Sequence, residues 1–161
     1  EHRGLTFDAG RCIRVDLSEG DKDAVGHGDA VASAVFDSGK HFWKLRFPVT
    51  DRMVGVGICT EGRDLGVALN PSAHDWFRGE VNGESWYSRR EIRRTHARIP
   101  WRGEFGHGSV LRVYFDCDTG TLSVAHAGSD RVVSFAVDEL VSKRVSPFVF
   151  LTHGNCCNFV D

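Results

Sequence analysis

The chain of 161 residues has the length of one domain, and 20 Lys and Arg against 22 Asp and Glu leave a formal charge of −2. That balance excludes a global field drawing the molecule onto nucleic acid or an anionic membrane. Hydrophobic residues at 41% and charged residues at 26% are globular proportions and exclude a disordered chain. The apolar runs break far short of the roughly 20 residues that a membrane-spanning helix needs.

The opening Glu1-His2-Arg3-Gly4 has neither an initiator Met nor an apolar leader, so residues 1–161 are expected to be a single domain taken from a longer chain. Runs from Ile13 to Leu17 and Val31 to Phe36 read as short strands. In His41 to Phe47 the alternation is strict: Trp43, Leu45 and Phe47 share one face while Lys44 and Arg46 take the other, the pattern of a strand with one wet side. Met53 to Cys59 follows as another strand. Its Gly55-x-Gly57 lacks the helix a phosphate loop requires and reads as small residues where strands pack closely.

Glu61 to Gly108 has a different texture, with Pro71, Pro100, three tryptophans and a dense arginine run. It is expected to be loops with one or two short strands, the kind of segment that carries binding surfaces. Beyond it, Leu111, Val113 and Phe115 alternate with Arg112, Tyr114 and Asp116. The alternation resumes at Leu122 and Val124 after Asp118-Thr119-Gly120, which predicts a hairpin with Gly120 supplying a positive φ. Val132 to Val137, Val145 to Leu151 and Cys157 to Val160 read as further strands, with Pro147 at a strand start or an edge. Only Asp138 to Lys143 offers a helical turn. The fold class is therefore all-β, an antiparallel sandwich or barrel.

Several segments, in order, resemble the SPRY family. Ser38-Gly39-Lys40-His41-Phe42-Trp43-Lys44-Leu45 is similar to its Ser-Gly-x-His-Tyr/Phe-Trp-Glu-Val signature. Met53-Val54-Gly55-Val56-Gly57 resembles the next strand, Gly83-Glu84-Ser85-Trp86 the Ser-Trp segment, and Gly106-His107-Gly108-Ser109-Val110-Leu111 the approach to the later hairpin. Phe115 to Ser123 is similar to the Leu-Asp-x-x-x-Gly-Thr-Leu-Ser hairpin, and Arg144 to Val149 to the final strand. The match runs from Cys12 to Val160, and Gly39 to Trp43 with Asp51 to Gly55 looks most like the SPRY-SOCS box and F-box/SPRY subgroup.

The resemblance implies a bent antiparallel β-sandwich of the SPRY type without catalytic activity, whose loops bind a short peptide of a partner protein. In the full chain it implies substrate recognition for a ubiquitin ligase. The implied partner-binding residues are Asp21, Lys22 and Ala24 in a first loop, His74, Trp76 and Phe77 in a second, and Thr152, His153 and Gly154 after the last apolar strand. Gly154 matches the family pattern. Thr152 and His153 stand where relatives have Val-Trp, and the Asp21–Ala24 segment lacks the family's Arg and Pro.

Other chemistry is weaker in the residues themselves. Five cysteines, Cys12, Cys59, Cys117, Cys156 and Cys157, are an odd number at irregular spacings, which fits a reducing compartment, cytoplasmic or nuclear. The Asn70-Pro71-Ser72 triplet is barred from glycosylation by its proline. No Cys-x-x-Cys or His-x-x-x-His spacing occurs, so neither a metal nor any other cofactor is expected, and His153 with Cys156 is the nearest approach to a ligand pair. No Gly-x-Ser-x-Gly elbow supports an acyl-transfer nucleophile. The alternative to the loop pocket is a basic loop, Arg89, Arg90, Arg93 and Arg94 running on to Arg98. With Trp86, Tyr87 and Trp101 as flanking aromatics, it would hold an acidic protein or nucleic acid.

Overall fold

The computed structural model describes residues 2–50, 54–63, 65–71, 91–95 and 101–161, with backbone alone for 91–95, 102 and 153. The described strands are β1 (Ile13–Ser18), β2 (Asp23–Val31), β3 (Lys40–Val49), β4 (Gly55–Thr60), β5 (Leu65–Leu69), β6 (Glu91–Thr95), β7 (Ser109–Asp116), β8 (Thr121–His126), β9 (Val132–Ala136) and β10 (Val145–Val160). Among the described residues, two 3-10 turns, Arg102–Glu104 and Asp138–Leu140, are the helical elements.

The strand order β6-β5-β4-β10-β3-β7-β8-β9 explains how one sheet becomes two leaves. Residues 145–150 of β10 pair with β4, residues 156–160 pair with β3, and β2 pairs along the other edge of β10. A single 16-residue strand thus belongs to both leaves, and the sheet bends between its halves. Inside the bend lies the main core, in which Trp43, Leu45 and Phe47 of β3 and Leu111, Val113 and Phe115 of β7 join Val56 and Ile58 of β4. A second buried cluster, Val31, Cys59, Ala68, Phe148 and Phe150, forms separately. Arg11 borders it, donating to the carbonyl of Ala32 at 2.9 Å and to Ser146 Oγ at 3.1 Å.

The all-β class and the strictly alternating strands are as the sequence predicts. In the expected hairpin, β7 and β8 pair from Asp116↔Thr121 to Leu111↔His126. Gly120 has φ 67° and donates its N–H to the Asp116 carbonyl at 2.8 Å. Close packing accounts for Gly57, because a Cβ there would lie 1.8 Å from the carbonyl oxygen of Val67. Pro147 is the third residue of β10, and its carbonyl accepts from Ala32 N at 3.0 Å. A strand residue turns its N and O to the same side, so the missing donor faces Ala32, where β2 has already ended.

Three expectations change. The strand expected at Val31–Phe36 is β2 at Asp23–Val31, while Ala32 and Phe36 make only isolated bridges to Phe7 and Val145. Asp23, Gly26, Gly28 and Asp29 weaken local strand propensity, but pairing with both β1 and β10 overrides it. The separate strands expected at Val145–Leu151 and Cys157–Val160 are one. Among the described strands the antiparallel rule has one exception, the parallel pair β5–β6, from Leu65↔Glu91 to Leu69↔Thr95.

Candidate interaction surface

At one level of the bend, neighbouring strands lose their register together. Arg14 of β1, at φ 60°, stands opposite His27 and Gly28, because the pairing jumps from Ile13↔Asp29 to Val15↔Gly26. On the other edge of β2, Leu151↔Gly28 is followed by Asn155↔Gly26, which leaves Thr152, His153 and Gly154 as a bulge. A bulge bends its strand and re-aims the adjoining side chains, and here several coincide. The approach is so close that a Cβ on Gly28 would lie 2.0 Å from the carbonyl oxygen of Ile13. Gly154 is exposed at φ 79°, where a side chain would be strained.

The implied partner-binding residues divide over this surface. Gly154 lies at the corner with its backbone open to solvent. Thr152, next to it, is 1% exposed, and Ala24 is also 1% exposed, its methyl in the main core. Both are corrected as side-chain contacts: Ala24 faces inward because its neighbours Asp23 and Val25 take the outer side of β2. Asp21, exposed, and Lys22, half-buried, form the β1–β2 turn. The Asp21 carbonyl accepts from Phe7 N at 2.7 Å and the Lys22 carbonyl from Phe159 N at 3.2 Å.

That turn is four residues along β2 from Gly26, or about 13 Å at strand rise. The first and third expected loops therefore stand at different levels of the same edge instead of closing on one point. His74, Trp76 and Phe77 lie outside the described residues, as do Arg89, Arg90, Trp86 and Tyr87; for His153 only the backbone is described. Arg93 and Arg94 are consecutive residues of β6, opposite Val67 and Ala68. Trp101, read from the sequence as an aromatic flanking the basic run, is 1% exposed and packs 5.8 Å from the His126 ring, so it is corrected to a core residue.

Two histidine sites among the described residues bear on catalytic chemistry. Ser109 Oγ lies 3.1 Å from His126 Nε2, the spacing of a nucleophile and its base. The Gly128 amide donates to His126 Nδ1 at 3.0 Å, which puts the ring proton on Nε2. Nε2 then donates to Ser109, and the imidazole in this tautomer has no lone pair for the serine proton. In the second place His41 Nε2 faces the Ser38 carbonyl at 2.7 Å, so it must donate, and its Nδ1 accepts from His2 Nε2 at 2.8 Å. Burial and the neighbouring His41 hold His2 below its usual pKa. The Phe36 ring stacks on both imidazoles, at 4.0 and 4.6 Å.

The thiols are shielded. Burial raises Cys12, pushes Cys117 to about 11 with the help of Asp118 and Asp116, and drives Cys157 well above the ordinary value. Raised thiols are poor nucleophiles and poor metal ligands at neutral pH. Cys156 is half-buried beside the buried Cys157, the division expected of adjacent strand residues. Among the described residues no group of three or more His, Cys, Asp and Glu is placed to hold a metal ion, and no helix is long and apolar enough to cross a membrane.

No protein-family model and no curated protein matches the chain. Solved structures do match. The SPRY domain of human HERC1 aligns with a TM-score of 0.64 at 18% identity, covering 96% of this chain and 97% of that one. The TRIM65 PSpry domain aligns with a TM-score of 0.63 at 17% identity, covering 99% and 93%. The stonustoxin structure aligns with a TM-score of 0.62 at 20% identity over 97% of this chain, which spans 27% of the stonustoxin chain. The architecture is a curled, almost wholly antiparallel β-sandwich. In particular, it is the SPRY-type fold.

Proposed function

We propose that this chain is a non-catalytic SPRY-type recognition module that binds a segment of a partner protein, and that its parent protein uses it to select substrates for ubiquitination. The observation that carries the first part is the end-to-end structural match to two SPRY domains, covering over nine-tenths of both partners in each alignment. The site chemistry agrees. The contact between the Ser109 hydroxyl and His126 has its ring proton on the wrong nitrogen for general-base work, and three of the thiols are raised. The bend meanwhile displays backbone at Gly154 and an exposed turn at Asp21, groups suited to hydrogen-bonding an extended segment. The ubiquitination part rests on the sequence resemblance to the SPRY-SOCS box subgroup.

The test is cross-linking mass spectrometry on the parent protein in cells, followed by competition with synthetic peptides tiled from each cross-linked partner. A partner displaced by one peptide at micromolar concentration, and whose ubiquitin load falls when the domain is deleted, is the expected result. Cross-links displaced by no peptide would overturn the recognition reading. Displacement with an unchanged ubiquitin load would overturn only the ligase reading.

A further inference from the structure

The outward face of β3, β7, β8 and β9 is organised in rows by its cross-strand register. One row is Lys40, Asp116, Thr121 and Ala136; the next is Phe42, Tyr114, Ser123 and Ser134; the third is Lys44, Arg112, Ala125 and Val132. Small side chains on β8 beside large ones on β7 leave a hollow of about 450 Å³, lined chiefly from the first two rows and bounded by Val132. That volume is in the range of small-molecule sites. Phe42 and Tyr114 stack with ring centroids 4.6 Å apart and planes within 13°. Phe42 thus covers one face of the tyrosine ring, and the other face, turned towards β8, is a wall of the hollow.

The rest of the lining is polar and carries no net charge. Lys40 and Asp116 stand opposite each other and both line the hollow, whereas Lys44 and Arg112 lie outside it. The floor is made of hydroxyls joined in two pairs, Thr119 Oγ1 to Thr121 Oγ1 at 2.8 Å and Ser123 Oγ to Ser134 Oγ at 2.7 Å. In each pair one hydroxyl donates to the other, which leaves one O–H free to donate and lone pairs on both oxygens free to accept. An apolar ligand would strip water from these groups and return nothing, at the full cost of their desolvation. An extended peptide finds no backbone partners here, because the peptide groups of β8 are taken up in ladders to β7 on one side and β9 on the other. A flat base would stack on Tyr114 alone, since the opposite rim is the aliphatic Val132. What the hollow matches is an uncharged ligand with one weakly polar C–H face and a rim of groups that both donate and accept.

We propose that this hollow is a binding site for a neutral carbohydrate. The C–H face of a pyranose ring packs on the open face of Tyr114, where the negative face of the aromatic ring meets polarised C–H bonds. The sugar hydroxyls bond to the Thr119–Thr121 and Ser123–Ser134 pairs, and at the end of the hollow Asp116 accepts and Lys40 donates. The site lies on the open sheet, away from the bend at Gly154, and does not depend on the reading of the chain as a protein-recognition module.

The test is titration of the isotope-labelled chain with four neutral disaccharides, maltose, cellobiose, lactose and diacetylchitobiose, followed by amide chemical shifts. At concentrations up to about 50 mM, which reaches the weak end of specific binding, at least one is expected to shift the amides of Tyr114, Thr121 and Ser123 to saturation. Its Kd should rise about tenfold or more in Tyr114→Ser and in Asp116→Asn, two variants chosen so that a folding defect in one leaves the other informative. No shift at these amides with any of the four, an affinity unchanged in both variants, or equal shifts from adenosine or from a phenylalanine-bearing pentapeptide would overturn the proposal. Partners cross-linked to the parent protein are expected to persist in both variants. Their loss from both would make the hollow part of the protein-binding surface and overturn the carbohydrate assignment, while leaving the recognition reading in place.

Discussion

The two sides of this sheet are built from similar strands and behave differently. Across β3, β7, β8 and β9 the pairing runs without interruption, Lys40↔Asp116 to Phe47↔Ser109 and Leu111↔His126 to Asp116↔Thr121. Every second residue therefore falls on the same face, and charge and aromatic rows build up in order. Across β1, β2 and β10 the register slips at Arg14, at His27 and Gly28, and at Thr152 to Gly154, so side chains no longer fall in continuous rows and the backbone at Gly154 is open to solvent. The regular side presents ordered side-chain rows, the irregular side an open peptide backbone, and the close approach of strands on the second is possible because Gly26 and Gly28 carry no Cβ.

The sharpest way to break this contrast is Gly28→Ala. With the Ile13 carbonyl 2.0 Å from the new Cβ, β1 must move off β2. Urea denaturation should report a loss of about 4 kcal/mol, at the upper end for a single substitution, with amide exchange accelerated in β1 and unchanged in β8. A smaller pair of effects separates the two faces of β7. Leu111→Ala, at a side chain with no exposure, should cost about 3 kcal/mol through the cavity it leaves. Tyr114→Ser, three residues on and outward, should cost about 1 kcal/mol for the lost ring stack. If Tyr114→Ser proves as costly as Leu111→Ala, the outward face is part of the core and not a surface for partners.

The last effect depends on pH. The folded pKa of Cys117 is raised by burial and by Asp118 and Asp116 to about 11 from an ordinary value of 9.0, so above pH 9.0 the unfolded chain has lost a proton that the folded chain keeps. Stability is then whole below that value and falls as pH rises towards about 11, since the folded state binds more protons. Cys12 and Cys157, shifted the same way, act with it. Denaturation midpoints across this range should fall in wild type and flatten in Cys117→Ala, while a slope unchanged in that variant would assign the effect elsewhere.

Period-two alternation determined β3, β7 and β8 from the sequence alone, face by face, because the strand repeat is a local property of the backbone. Asp118-Thr119-Gly120 likewise determined the hairpin, since its positive φ needs no distant partner. The SPRY resemblance, carried on short ordered motifs, anticipated the fold that the solved structures match. The Gly55-x-Gly57 spacing carried a signal of close backbone approach, but that β5 is the strand that approaches, at Val67, could not be read from it. Only tertiary structure decided that β10 runs unbroken through both leaves, that β2 sits at Asp23–Val31 between β1 and β10, that β5 and β6 pair in parallel, and that Ala24, Thr152 and Trp101 are buried. It also decided that Lys44 and Arg112, 68 residues apart in the sequence, stand face to face. Alternation tells a strand which side is dry. The neighbour across each edge is chosen by the loop paths and by the total burial of the assembled sheet, which no local pattern records.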